Sequence, residues 1–206
     1  MQELTTRHPG IAPIAAAITA AESAMIECYE RRGKLLLCGN GGSAADCDHM
    51  VGELMKGFQK RRQLSEEQKQ CLQRNCPLLE EALLAKLQRG LPAISLPSLA
   101  VLNSAVSNDN DPEYIYAQAL FALGNQQDIL IAISTSGNAK NVFAAAKVAK
   151  GMGMTVIALT GAGGGVLKTI SDICICVGET ETYKIQELHL PIYHYLCSKV
   201  ESHFFD

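Results

Sequence analysis

His49 and Glu53 lie four residues apart on a stretch that reads as a helix opening at Ser43, so their side chains share a face. A carboxylate beside an imidazole can take a proton from carbon, pass it on near neutral pH, or hold a metal ion. A second set lies near the C-terminus, where Gln186, Glu187, His189 and His194 fall on a long apolar helix. Gln186 and His194 diverge by only about 80° around its axis, whereas Glu187 lies on another face and reads as a surface residue. Pro191 sits inside this helix and is expected to bend it, because it removes one backbone bond. His8 and His203 read as ordinary surface or core histidines.

Two turns carry the chemistry of anion binding. Gly39-Asn40-Gly41-Gly42-Ser43 allows close backbone approach, and Ser43 is placed to cap the helix that follows. Ser134-Thr135-Ser136-Gly137-Asn138 sets three hydroxyls and a glycine before a helix running from about 140 to 150. Hydroxyls and backbone N–H groups at a helix N-terminus can hold a phosphate without Arg or Lys. Neither turn is a dinucleotide fingerprint or a Walker loop. Thr160-Gly161-Ala162-Gly163-Gly164-Gly165 reads as a flexible turn. Ser107-Asn108-Asp109-Asn110-Asp111-Pro112 reads as a loop leading into a helix, with a polar density that also suits sugar hydroxyls.

These turns need strands behind them. Apolar runs at 34–38, 93–96, 128–133, 155–159 and 173–177 alternate with helical patterns. Nearly continuous β-branched runs of this kind suggest a parallel strand buried on both faces. The expected fold is therefore a three-layer α/β/α, doubly wound domain on a five-stranded parallel sheet, with ligands at the carboxyl ends of the strands. Residues 1–32 are expected to hold an amphipathic N-terminal helix rather than a secretory segment, since Pro13 interrupts its apolar run and Glu22 follows. Residues 59–90 carry most of the charge and read as a helical insert. Ser65 and Gln68 have capping-box spacing, and Leu79, Leu83, Leu84 and Leu87 form a helical stripe. The insert is either a solvated hairpin or a lid or docking arm.

Composition narrows the function classes. The 206 residues suit one domain, and 48% hydrophobic against 19% charged residues supports a sizeable core. Aromatics at 5%, no Trp and a net charge of −3 leave neither a stacking platform nor a basic field, so nucleic acid is not an expected partner. No uninterrupted apolar run reaches membrane-spanning length, and no membrane partner is expected. None of the eight cysteines has C-x-x-C spacing; most read as small core hydrophobes, with Cys71 and Cys76 in a polar stretch where they could oxidise. Thiols of this kind point to a reducing, cytoplasmic location.

The ordered set Gly39–Ser43, His49-x-x-x-Glu53, Asn108-Asp109, Ser134–Asn138, Leu159-Thr160-Gly161 and Ile185–His189 with His194 resembles the sugar isomerase (SIS) domain family. Within it, the chain is similar to the phosphoheptose isomerases. The resemblance implies a single flavodoxin-like SIS domain over 1–206 and an aldose–ketose isomerase acting on sedoheptulose 7-phosphate. It implies that Asn40, Gly41, Gly42, Asn108 and Asp109 hold the open-chain sugar, with Ser43, Asn138 and Gln186 also at the substrate. Ser134, Thr135 and Ser136 would cradle the phosphate. Glu53 is then the base and His194 the opposing acid/base. One zinc ion per site is implied on His49, Glu53, Gln186 and His194, in a homotetramer whose sites draw on neighbouring subunits. A metal-bound His194 nitrogen cannot also be a free acid, so these two readings of His194 compete. Departures from the family pattern are Ala139 in place of a phosphate-binding Ser, Tyr183-Lys184 in place of Asp-Arg, and an insert about twenty residues longer than the usual connection, a length surface loops tolerate. A non-catalytic SIS adaptor that binds a replication initiator is the alternative in a different class, and Glu53 argues against it. A sugar-phosphate sensor is a weaker alternative, since no DNA-binding segment is read in the chain.

Overall fold

The computed structural model describes residues 1–205. Five parallel strands form one sheet: β1 (Leu35–Cys38), β2 (Ala93–Ser95), β3 (Ile129–Ile133), β4 (Thr155–Thr160) and β5 (Ile173–Cys176), in the order β2-β1-β3-β4-β5. The five apolar runs become these strands within a residue or two. The residues that fall outside do so for a reason: Lys34 and Asp128 pair at the amino edge, with Nζ 2.6 Å from the carboxylate, instead of extending the ladder. Because side chains alternate along a strand, each strand feeds two cores. Leu35, Leu37, Ile129, Ile131 and Ile133 face one side, while Leu36, Cys38, Leu130 and Ala132 face the other.

The helices divide between these cores. On the first face pack α1 (Gln2–Arg7), α2 (Ala15–Glu30), α3 (Gly42–Met55) and α9 (Thr182–Phe204), through residues such as Ile18, Met25, Met50, Leu54, Ile192 and Leu196. On the second pack α7 (Ile115–Leu123) and α8 (Lys140–Gly151), through Tyr116, Leu120, Val142 and Ala145. The site therefore inherits a constraint: α3 with His49 and Glu53, and α9 with His194, are neighbours on one face of the sheet.

The N-terminal segment is not one helix over 1–32. His8 at φ −132° and Pro9 end α1, a 3-10 turn spans Pro9–Ile14, and α2 follows. By length and composition Pro9–Glu30 is apolar enough to cross a membrane. Its apolar face is occupied by the core, where Ile11, Ile18, Ala21, Met25 and Cys28 are fully buried. Pro191 lies within α9, which runs through it from Thr182 to Phe204.

The insert differs from its sequence pattern as well. Helix α4 (Glu66–Asn75) opens with the expected capping box between Ser65 and Gln68 and buries nothing. The leucine stripe is not a long helix. Helix α5 covers only Glu81–Leu84, Leu84 alone is buried, and Leu83 and Leu87 are exposed. The insert is pinched at its neck, where Gln63 bridges Gln88 and Arg89 N donates to Arg62 O. All eight cysteines are free thiols. Burial pushes Cys28 up to about 11 and Cys197 up to about 12, as expected of inert core thiols.

Just before that neck the chain is fastened by a buried ion pair. Arg62 Nε donates to Glu201 Oε1 at 2.8 Å, and its guanidinium also donates to the carbonyls of Glu53 and Leu54. Glu201 further accepts from the amides of Phe58 and Gln59, each at 2.8 Å. Burial raises the Glu201 pKa, but these donors outweigh it and hold the carboxyl below its ordinary 4.5. Arg62→Met leaves a buried carboxylate without its cation and is expected to cost about 3–5 kcal/mol in urea unfolding at neutral pH. A carboxyl lowered on folding supplies stability above its unfolded pKa and loses it as pH falls through the folded value. Unfolding midpoints of the wild type should therefore decline below about pH 4.5, and Glu201→Gln should flatten that slope.

Candidate active site

Strand order 2-1-3-4-5 reverses between β1 and β3, and ligands in such sheets bind outside the carboxyl ends at that crevice. A cavity of about 340 Å³ opens there, between residues 40–43 and 133–136, with Ala139, Thr182 and Gln186 on its rim. A larger hollow of about 600 Å³ lies at the opposite, amino edge, lined by Arg32, Gly33, Lys34, Pro92 and residues 125–128. The crevice rule and the clustered hydroxyls assign ligand binding to the smaller one.

Each wall of this cavity is braced. Gly41, at φ +54°, caps α3, and no side chain caps it; Ser43 is instead the second helical residue and is buried. The expected Ser43 cap fails because the positive φ of Gly41 already turns the chain. A Cβ on Gly42 would collide with the side-chain amide of Gln186, so the glycine leaves room for that amide against the turn. Asn40 exchanges two amide hydrogen bonds of 2.9 Å with Asn141, and the Tyr116 hydroxyl donates to Gly39 O at 2.7 Å. Nothing in the spacing of the sequence pointed to Asn141 or Tyr116.

The hydroxyl loop is held from behind. Gly161 N donates to Thr135 O and Leu167 N to Gly137 O, so the turn after β4 and the 3-10 turn Val166–Thr169 serve as its buttress. Asn138 spends its amide on the loop, with Oδ1 accepting from Val166 N and Nδ2 donating to Ser136 O. Ser136 Oγ accepts from Asn138 N and keeps its own proton for a ligand. Asn108 and Asp109, bonded to each other on α6 (Ala100–Asp109), are exposed on a separate shallow hollow and do not line this cavity.

The titratable groups meet between α3 and α9. His49 Nε2 lies 3.3 Å from Glu53 Oε1 and 3.5 Å from His194 Nε2. The other His49 nitrogen, Nδ1, is 2.9 Å from the Tyr193 hydroxyl. Burial, then the neighbouring His49, push His194 below its ordinary value against the pull of Glu53, which keeps a lone pair on its ring. A tetrahedral ion with bonds near 2.0–2.1 Å separates its ligand atoms by about 3.3 Å. Both observed separations lie near such an edge, so the residue types suit a zinc-like ion although the three do not close a site. Among the described residues no ready-made cage of three His, Cys, Asp or Glu groups is closed, and Gln186 lies against Gly42 at the cavity. His189, fully buried at 3.4 Å from Thr160 O, is lowered to about 4 by burial and stays a neutral core residue.

Because Gly42 and Gln186 share one volume, Gly42→Ala is expected to displace the amide. Affinity for phosphate esters should then drop about tenfold by calorimetric titration, the worth of one hydrogen bond, with little change in the melting temperature.

Comparison with known proteins agrees with this architecture. The sequence matches the SIS domain over residues 10–89 and 83–161. It is 38% identical over 180 residues to the phosphoheptose isomerase of Helicobacter pylori strain P12, covering 87% of this chain and 80% of that one. With the phosphoheptose isomerase of Roseiflexus sp. strain RS-1 it shares 37% over 189 residues, covering 92% and 83%. Among solved structures, the phosphoheptose isomerase of Francisella tularensis superposes with a TM-score of 0.75 at 34% identity, covering 91% of this chain and 86% of that one. That of Neisseria gonorrhoeae superposes with 0.77 at 28%, covering 98% and 94%. The chain belongs to the SIS domain family and, within it, is similar to the phosphoheptose isomerases.

Proposed function

We propose that this protein is an aldose–ketose isomerase of the phosphoheptose isomerase kind, converting sedoheptulose 7-phosphate to D-glycero-D-manno-heptose 7-phosphate. The observation that carries the reading is the meeting of Glu53, His49 and His194 on α3 and α9, the two helices whose N-terminal residues line the hydroxyl-bearing crevice. Ser134, Thr135 and Ser136 hold the phosphate through hydroxyls and backbone N–H groups. Asn40, Gly41, Gly42 and Gln186 line the path of the open chain. Glu53, largely shielded from water, takes the proton from C1 of the ketose and returns it to C2, while the hydroxyl proton passes from O1 to O2. Zinc held on His49, Glu53 and His194, with Gln186 as fourth ligand, would supply a Lewis acid for the carbonyl oxygen. In that form the His194 nitrogen serves the metal, and Glu53 carries the carbon proton alone.

Asn108 and Asp109 face away from the cavity of their own chain, and we assign them to the site of a neighbouring copy in a homotetramer. Free thiols throughout the chain suit a cytoplasmic enzyme.

Purified protein incubated with sedoheptulose 7-phosphate in deuterated water should form the aldose with deuterium at C2, and bound zinc should copurify. Glu53→Gln should lower kcat by at least about 100-fold with an unchanged fold. A wild type that shows no turnover with or without added zinc overturns the reading, and a stoichiometric protein partner found in its place favours the adaptor.

A further inference from the structure

We propose that Cys174 and Cys176 form a dithiol site for a trivalent, thiophilic centre of the monosubstituted arsenical class, which bonds both sulfurs at once. The site lies on the edge strand β5, apart from the residues assigned to isomerisation, and does not rest on that assignment. Cys174 and Cys176 are two apart on one strand, so their side chains share a face. Their Sγ atoms are 3.4 Å apart. The neighbouring strand sets Ala158 beside Cys174 and Thr160 beside Cys176. The buried Thr160 hydroxyl lies 3.4 Å from Cys176 Sγ and 3.8 Å from Cys174 Sγ. Cys28, Cys38, Cys47 and Cys197 are buried in the core, whereas these two thiols reach solvent in part. A Cβ on Gly164 would stand 3.2 Å from Cys176 Sγ, so the glycine helps keep that sulfur uncovered.

Spacing and ligand count select the class. A thiolate sulfur sits about 2.3 Å from a bound zinc, and a tetrahedral ion would then hold two sulfurs about 3.8 Å apart. Such an ion also needs further ligands, and among the described residues no third His, Cys, Asp or Glu joins the pair. A linear two-coordinate ion with bonds of that length spreads its sulfurs to about 4.6 Å. At the observed 3.4 Å, two such bonds subtend about 95° at the central atom. Near-right angles and only two exchangeable positions belong to a trivalent arsenic that keeps its organic group and its lone pair. The step balances without an oxidant. Each As–OH group of R–As(OH)2 leaves as water with one thiol proton, two As–S bonds replace two As–O bonds, and arsenic stays trivalent. A disulfide is the competing product, but it needs an oxidant and an approach of the sulfurs from 3.4 Å to about 2 Å. It also forms through a thiolate, and burial, then the hydrogen bond with Cys176, hold the Cys174 thiol above its ordinary value against the Thr160 and Ser171 hydroxyls. The condensation accepts neutral thiols.

The test incubates the full folded chain with phenylarsine oxide, under nitrogen, in thiol-free buffer at neutral pH. Intact-mass spectrometry should show a gain of one phenylarsenic group less two hydrogens, and peptide mapping should show Cys174 and Cys176 protected together from iodoacetamide. The adduct should survive excess glutathione and come off with dimercaptopropanol, because a monothiol cannot compete for both bonds at once. Cys174→Ser and Cys176→Ser should each abolish the glutathione-resistant adduct with little change in the melting temperature. Cys71→Ser, on the exposed pair of the insert, should leave it intact. No adduct, an adduct formed only in urea, or one that glutathione strips overturns the proposal. So does an adduct that persists in both strand variants, or protection that falls on Cys71 and Cys76 instead. Where a strand variant does not fold, joint protection of Cys174 and Cys176 in the folded wild type decides the matter.

Discussion

The architecture of this site depends on one buried charge pair. Arg62 and Glu201 lie 139 residues apart and are both withdrawn from water, an arrangement that is costly unless every donor and acceptor is met. Here the demands are largely satisfied. Glu201 accepts from Arg62 and two amides, and Arg62 spends two further donors on the carbonyls of Glu53 and Leu54. Those carbonyls are the last turn of α3, and Glu201 belongs to the last turns of α9. The pair therefore fixes the separation of the two helices at the end nearest Glu53. Hydrophobic packing of Met50, Leu54, Leu196 and Val200 brings the helices to the same face, but packing alone is not directional. The guanidinium fork sets their register, and with it the reach between His49 and His194.

Much of this was open to a reader of the sequence, and the reason is locality. A strand buried on both faces announces itself as an apolar run, so 129–133 and 155–160 could be placed from their own residues. His49 and Glu53 are four apart on one helix, and the helix period alone puts them together. The capping box at Ser65 is equally local. What escaped was non-local or depended on backbone sign. No pattern links Arg62 to Glu201, Tyr193 to His49, or Asn40 to Asn141. Ser43 looked like a cap because its residue type is right, but Gly41 at positive φ had already turned the chain. The leucines at 79, 83, 84 and 87 had helical spacing, yet only Leu84 finds a core, and a helical pattern with nothing to bury against does not persist.

The division of labour along α3 explains why a mildly acidic chain can serve an anionic ligand. Its N-terminus, at Gly42, borders the crevice and offers the positive end of the helix dipole. No lysine or arginine lines that cavity, so binding relies on hydroxyls, amides and the dipole, all fixed in place by the Gly161 and Asn138 braces. The titratable pair His49 and Glu53 lies further along the same helix. At 1.5 Å per residue, His49 stands about 10 Å from Gly42, and Glu53 stands one turn beyond with its side chain leaning back toward the N-terminus. The helix thus carries the crevice border at its first turn and the titratable pair two to three turns on, within one rigid element.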